Sequence, residues 1–166
     1  LRYEHDKRLH VSPFMGLDGA VPAEGVDAGV PGHYGNPIVE QRRLERGEAI
    51  VYLSDRGVLT VTGPDRLSWL HSMASQALDR LAPGVAAEAL FLDASGRIEH
   101  VVHVVDDGES TWLIVEGSDA APLAAFLDRM RFMLRVEVAD RTSEVGVLGA
   151  MSTSALDAAA PAPDPN

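Results

Sequence analysis

Three apolar, β-branched runs joined by two short turns restrict the fold of this chain more than any other feature. A parallel crossover needs a dozen or more residues, so runs this close together predict neighbouring strands of an antiparallel sheet. Glycine, serine and aspartate between the runs are typical turn residues. The runs cover 85–93, 97–106 and 111–116, and the turns are Ala94-Ser95-Gly96 and Asp107-Gly108.

Two segments with helical spacing flank these strands. The first begins at Thr62-Gly63-Pro64-Asp65, which combines a cap, a proline and an acid in the manner of a helix start. The second begins at Ser118-Asp119, where a capping side chain precedes an apolar stripe. The stripe consists of Leu123, Phe126, Leu127, Met130 and Leu134.

Four shorter runs complete the pattern. Residues 48–54 and 57–62 predict a hairpin around Asp55-Arg56, and 135–140 and 144–148 predict two closing strands. The element order is then β-β-α-β-β-β-α-β-β. This order predicts an α+β fold, a mainly antiparallel sheet with two helices packed on one face.

Composition divides the chain into three zones. Prolines and glycines are dense over 1–45, which predicts an extended arm. Residues 46–150 are periodic and apolar, and form the predicted α+β domain. Residues 151–166 end in AAAPAPDPN, which predicts a disordered tail.

Charge and cysteine usage exclude several classes of function. The chain has 14 Lys and Arg against 25 Asp and Glu, a formal charge of −11, which argues against direct contact with nucleic acid or an anionic membrane. The absence of cysteine excludes disulfides and thiolate chemistry. No apolar run approaches the ~20 residues of a membrane span, and the N-terminus lacks a signal segment, so the expected compartment is the cytoplasm.

His100 is the most informative polar residue of the predicted sheet. Strand alternation places it on one face with Ile98, Val102 and Val104, and places Glu99 and His103 on the other. His100 therefore either is a core histidine with a hydrogen-bond partner or contacts a ligand in a pocket lined by the core. The alternation keeps Glu99, His100 and His103 from converging, so no metal site is predicted. The acidic run 106–109 is interpreted as a solvated turn.

Several segments together resemble one known family, the YgfZ-type folate-binding proteins, which are relatives of the glycine-cleavage T-protein, an aminomethyltransferase. The resemblance covers roughly residues 30–149. It is carried by GVLTVTGPDRLSWLH at 57–71, by Pro83-Gly84 followed by EALFLDASGRIEH at 88–100, by His33-Tyr34-Gly35-Asn36-Pro37 with Glu40 and Arg42, and by the helix 122–134 that leads into VEVAD at 136–140.

This resemblance implies the N-terminal folate-binding region of the superfamily, with tetrahydrofolate as the ligand. It also implies a role in supporting iron–sulfur enzymes, with iron–sulfur client proteins as partners and an indirect link to tRNA modification. The expected folate contacts are His100 and Glu99, with Val102 and Val104 as an apolar floor and Arg97 near the pocket mouth. No residue is assigned a catalytic role.

The sequence also departs from the family pattern. Glu99 and His100 stand where T-proteins carry an Asp-Asp pair, which favours the YgfZ-like branch over aminomethyl transfer. Tyr52 replaces a usual Asp, the run 73–76 departs from the usual Leu-Thr-Asn-Asp type, and the Lys-Gly-Cys-Tyr-x-Gly-Gln-Glu string and the C-terminal barrel-like domain are absent. Two alternatives therefore remain: a folate-dependent aminomethyltransferase, and an interaction module that has lost folate and self-associates through an exposed sheet edge.

Overall fold

The computed structural model describes residues 11–25 and 29–159, which fall into two compact units. The sheet unit is Asp55–Gly146, and the terminal unit combines Leu1–Ser54 with Val147–Asn166. After a short 3-10 helix at Pro13–Gly16, the strands are β1 (Val21–Pro22), β2 (Pro31–His33), β3 (Ile50–Tyr52), β4 (Arg56–Thr62), β5 (Ala86–Leu92), β6 (Ile98–Asp106), β7 (Ser110–Glu116), β8 (Glu137–Asp140) and β9 (Leu148–Ala150). The helices are α1 (Pro37–Glu45), α2 (Arg66–Met73), α3 (Gly117–Met130) and α4 (Thr153–Ala159).

The sheet unit contains a five-stranded antiparallel sheet in the order β5-β6-β7-β4-β8. Its buried face is formed by alternate residues of each strand, and α2 and α3 contribute to the same core. The core includes Leu59, Val61, Leu70, Phe91, Val102, Val104, Leu113, Leu123 and Leu127. The predicted α+β architecture with a mainly antiparallel sheet is confirmed, as are the two hairpins on either side of β6.

The predicted hairpin around Asp55-Arg56 is wrong. β3 pairs with β9, which lies about a hundred residues further along the chain, and β4 pairs with β7 and β8. Residues Val58 to Val61 are all buried, so β4 is a central strand that needs a neighbour on each side. The second predicted closing strand, 144–148, is likewise displaced to β9 in the terminal unit.

The terminal unit holds two helices where an extended arm and a disordered tail are predicted. α1 lies within the predicted arm, and α4 lies within the predicted tail. Asn36 caps α1 by accepting the Val39 N–H, and the Glu40 carboxylate accepts the N–H groups of Tyr34 and Asn36. The HYGNP segment with Glu40 therefore builds a helix start. The parts of these predictions that concern 1–10, 26–28 and 160–166 lie outside the described residues.

The second predicted helix ends one turn earlier than its apolar stripe suggests. α3 ends at Met130, whose carbonyl accepts the indole N–H of Trp69. Met133 then adopts a left-handed backbone with a φ of 57°, a conformation that ends the helical path. Met130 and Leu134, the last two members of the predicted stripe, are 48% and 41% exposed, so the end of the stripe lies at the surface.

The acidic turn between β6 and β7 is only partly solvated, which corrects its interpretation as a solvated turn. Asp106 is 1% exposed and accepts two hydrogen bonds of 2.8 Å from the Arg66 guanidinium. Asp106 also accepts the Thr111 hydroxyl at 2.6 Å and the Gly108 N–H at 2.8 Å. These contacts fasten the start of α2 to the turn, and we call the four residues the Asp106 cluster.

We expect the stability of the sheet unit to fall in acid through this turn. Hydrogen bonds from the Trp112 indole and from the Ser110 and Glu109 N–H groups lower the pKa of Asp107 to about 2. Burial raises the pKa of Asp106, but hydrogen bonds from Arg66, Thr111 and Gly108 outweigh it and leave that pKa below its ordinary value. Both carboxylates therefore stabilise the fold above the unfolded aspartate pKa of about 3.9, and this stabilisation is lost as the pH falls towards 2.

Urea unfolding at a series of pH values checks this expectation. The contribution of these two carboxylates to the free energy of unfolding should be constant above about pH 4 and should decline below it. Asp107→Asn should make that decline shallower. An unchanged slope in the variant would show that Asp107 titrates alike in the folded and unfolded chains.

Candidate functional site

His100 lies near the start of β6 and points from the sheet towards α3. The strand alternation that buries Val102 and Val104 also buries His100, which is 8% exposed. Its Nδ1 atom lies 2.8 Å from Oδ2 of Asp119, in the first turn of α3. The prediction that His100 faces the core side of the sheet is confirmed, and the helix supplies its partner.

An open depression of about 380 Å³ adjoins this pair. It is lined by Glu99, His100, Pro122, Ala125, Phe126 and Arg129. The Phe126 ring lies against the imidazole at a centroid distance of 5.9 Å and packs edge-on against Phe91, 6.0 Å away. The depression therefore has an aromatic wall that the hydrophobic core supports from behind.

The imidazole presents one ring nitrogen that is free to bind a ligand. Among the described residues, the imidazole hydrogen-bonds only through Nδ1, and no buried side-chain nitrogen or oxygen lacks a partner. Nε2 must then be reachable by solvent rather than sealed in the core. A histidine held in this way offers a single directed polar group beside an aromatic surface.

Two charged groups stand at the same depression. Arg129 forms no ion pair with any residue that the structure describes, so its guanidinium is available to an anionic group. Glu99, the other charged residue, is exposed and borders the depression, although strand alternation turns its side chain to the opposite face from His100. The depression thus combines one aromatic face, one imidazole nitrogen and one cation, a set that can hold a planar polar ligand with an anionic substituent.

The structure brings together only part of the predicted site. His100 and Glu99 both line the depression. Val102 and Val104 are 0% and 1% exposed and belong to the core rather than to the lining, so they form no floor for a ligand.

Arg97 is held in the β5–β6 turn, where its Nε donates to Asp93 at 2.8 Å, and it does not line the depression. Turn geometry at Asp93, which also accepts two backbone N–H groups, explains this placement.

Sequence reasoning missed the helix side of the site. Asp119, Pro122, Phe126 and Arg129 are spaced at intervals of three, four and three, which places them along one face of α3. Local patterns account for Asp119 as a cap and for Phe126 as core, and nothing in them shows that the two belong to one mixed polar and aromatic stripe. Among the described residues the Asp119 side chain accepts no backbone N–H group, and it faces His100.

Two kinds of feature are not found in the described part of the chain. Within residues 11–25 and 29–159 no group of three or more His, Cys, Asp and Glu side chains is placed to hold a metal ion. Over the same residues, no helix is both long enough and apolar enough to cross a membrane.

No family model matches the chain, but comparison with curated proteins identifies relatives. One is an "Iron-sulfur cluster assembly factor IBA57 homolog, mitochondrial" of Cryptococcus neoformans var. neoformans serotype D, 31% identical over 98 residues, which are 57% of this chain and 25% of that protein. Another is an "Aminomethyltransferase" of Pseudomonas syringae pv. tomato, 28% identical over 103 residues, which are 58% of this chain and 29% of that protein.

The glycine cleavage system aminomethyltransferase T of Bartonella henselae has the same fold over 87% of this chain and 41% of its own, with a TM-score of 0.63 and 17% identity. The resemblance to the T-protein superfamily is confirmed. The T-protein-like region covers over half of the chain by sequence. The chain spans between a quarter and a third of the length of the curated T-protein relatives it matches.

Proposed function

We propose that this T-protein-like chain binds tetrahydrofolate at the depression beside His100. The observation that carries the proposal is the convergence of His100, Phe126 and Arg129 on one open depression. The family resemblance supplies the ligand class, since folate is what the resemblance implies for this region.

The residues present suit the ends of a folate molecule. A pterin ring is planar, has two apolar faces and carries hydrogen-bonding groups on its edge, so it can lie on Phe126 and reach His100 Nε2. The glutamate end carries carboxylates, which suit the Arg129 guanidinium. The volume of about 380 Å³ lies at the lower end of the range for ligand sites, so it accommodates part of a folate molecule.

In the cell, the proposed role is to support the assembly or maintenance of iron–sulfur enzymes. The relative named an iron–sulfur cluster assembly factor supports this role. Iron–sulfur client proteins are the proposed partners, and any effect on tRNA modification would pass through such clients. The charge of −11 supports an indirect link, because it disfavours direct contact with RNA. The cytoplasm is the proposed compartment.

His100→Ala tests the folate site. The variant should bind tetrahydrofolate about tenfold more weakly than the natural sequence, the size expected when one ligand hydrogen bond is lost. Calorimetric titration measures the affinity, and the rise in thermal midpoint with ligand concentration checks it independently.

The matched control is His103→Ala. His103 lies on the same strand but on the opposite face of the sheet, and its side chain is 59% exposed. This control should bind like the natural sequence. Equal affinities for all three proteins would remove His100 from the site, and no heat with any of them would refute folate binding by this chain.

A second candidate function is folate-dependent aminomethyl transfer, favoured by the position of Glu99. Glu99 borders the same depression as His100, and its exposed carboxylate is the candidate acid or base for a bound one-carbon group. Turnover of an aminomethyl donor that depends on tetrahydrofolate and is abolished in Glu99→Gln would support it. No turnover at saturating folate would exclude it.

The interaction module remains a third candidate because β5 lies at the end of the sheet. Loop residues cover part of its outer edge: Ser75 donates its N–H to the Leu90 carbonyl and accepts the Leu90 N–H through its hydroxyl. The unpaired part nearer Ala86 is the proposed surface for self-association. Sedimentation over a range of concentrations would detect it.

A further inference from the structure

The partner of His100 determines which kind of ligand atom the site accepts. We infer that Asp119 is a positioning residue that keeps the proton of His100 on Nδ1, so that Nε2 accepts a hydrogen bond and the site prefers a reduced pterin to an oxidised one. The preference for a reduced pterin rests on the proposed folate function. The role of Asp119 rests on the geometry of the free protein.

The first step of the argument is the chemistry of the contact. The 2.8 Å distance between Nδ1 and Oδ2 is that of a hydrogen bond. An ionised carboxylate can only accept, so Nδ1 carries the proton and donates it. A neutral imidazole has only one N–H group, and Nε2 is therefore an acceptor.

The second step is that the ring cannot readily turn over. His100 is 8% exposed, and the Phe126 ring packs against it at 5.9 Å. Turning the ring would break the bond to Asp119 and would leave a carboxylate without its donor next to the core. Asp119 also lies in the first turn of α3, where a carboxylate interacts favourably with the unpaired amide groups of the helix. Asp119 is thus held by the helix, and His100 is held by Asp119.

The third step concerns the ligand. We place Nε2 opposite N5 or N8 of the pterin, which carry N–H groups in a tetrahydropterin and lone pairs in a fully oxidised pterin, rather than opposite N3 and the 2-amino group, which donate in both forms. As an acceptor, Nε2 can take a hydrogen bond from an N–H group of the tetrahydropterin. With the oxidised pterin, the lone pair of Nε2 would face the lone pair of a ring nitrogen. A site that depends on a ligand hydrogen bond discriminates strongly against an analogue that lacks the donor. Asp119 would in this way set the redox form of folate that the site binds.

Nitrogen NMR of the imidazole tests the tautomer without any ligand. At about pH 8, the spectrum should show a protonated Nδ1 and an unprotonated Nε2 for His100. Asp119→Ala should move the proton to Nε2, and Asp119→Asn, which keeps the side-chain shape but can donate as well as accept, should give a mixture. The backbone amide spectrum confirms that each variant is folded.

The matched control for the spectrum is Asp128→Ala. Asp128 is on the same helix, and its side chain is 60% exposed and contacts Arg131. This variant should leave the His100 signals unchanged. A proton on Nε2 in the natural sequence, or protons on both nitrogens, would overturn the role of Asp119.

Calorimetry with tetrahydrofolate and with folic acid tests the ligand preference. The natural sequence and Asp128→Ala should bind tetrahydrofolate about tenfold or more tightly than folic acid, and Asp119→Ala should bind the two within about twofold of each other. Equal binding of both ligands by the natural sequence would overturn the preference. If neither ligand binds while Nδ1 is protonated, the proposed function fails and the role of Asp119 in setting the tautomer stands.

Discussion

Asp106→Ala is expected to lower the free energy of unfolding of the sheet unit by about 3–5 kcal/mol, the usual cost of removing one partner from a buried ion pair. The change leaves the Arg66 guanidinium, whose side chain is 13% exposed, without its carboxylate. It also removes the acceptor of the Thr111 hydroxyl and the Gly108 N–H. Because folded domains are stable by only about 5–15 kcal/mol, this loss is a large share of the total.

Urea unfolding of three variants separates the charge from the packing. Replacing both partners, as Arg66→Met with Asp106→Leu, should recover much of the loss, since an apolar pair of similar volume does not leave a buried charge. Asp128→Ala, at an exposed carboxylate, should cost less than about 1 kcal/mol. A cost below about 1 kcal/mol for Asp106→Ala would mean that water enters the Asp106 cluster and replaces the missing acceptor.

Gly63→Ala is expected to lower the free energy of unfolding by about 2–6 kcal/mol, since a forced backbone and an overpacked contact each cost about 1–3 kcal/mol. Gly63 has a φ of +105°, a backbone conformation that side chains rarely adopt. A methyl group there would overlap the carbonyl oxygen of Arg135, just before β8. The change should therefore loosen β8 from β4, with faster hydrogen exchange at Val61 and Val138.

The matched control is Gly84→Ala. Gly84 also has a positive φ, +78°, but nothing lies within 4 Å of an added methyl group, so only the backbone cost applies. The difference between the two variants measures the close approach of the Gly63 and Arg135 backbones. If the two cost the same, the β8 edge has room to move away, and the contact does not hold β8 in place.

Local signals predicted the parts of the fold that local contacts determine. The turns at 94–96 and 107–108 fix the two hairpins, because their strands are adjacent in sequence. β3 was assigned to the wrong partner because its true partner, β9, lies near the other end of the chain, and no turn residue reports on such a pairing. The same limit applies to Asp106: the sequence around it is that of a turn, and Arg66, which buries it, is forty residues away.

The candidate site likewise has a part that the local sequence pattern predicts and a part that depends on packing between distant elements. The alternation of β6 predicted that His100 faces the core side, since period two is a property of the strand itself. It could not predict that α3 would place Asp119 and Arg129 beside the histidine, because that depends on how the helix packs across the sheet. The resemblance implies that Arg97 lies near the pocket mouth, but the nearby acid Asp93 holds it in the turn.

The pairing of β4 has a consequence for synthesis on the ribosome. Leu59 pairs with Leu113 on one side and with Asp140 on the other. About eighty more residues must therefore be synthesised before the second neighbouring strand of this apolar segment emerges, which imposes a wait. At about 5–20 residues per second, this wait is on the order of 4–16 s. For roughly the first two thirds of it, before β7 emerges, Val58 to Val61 form a nascent stretch with no sheet to join, the stage at which a chaperone would bind this chain most readily.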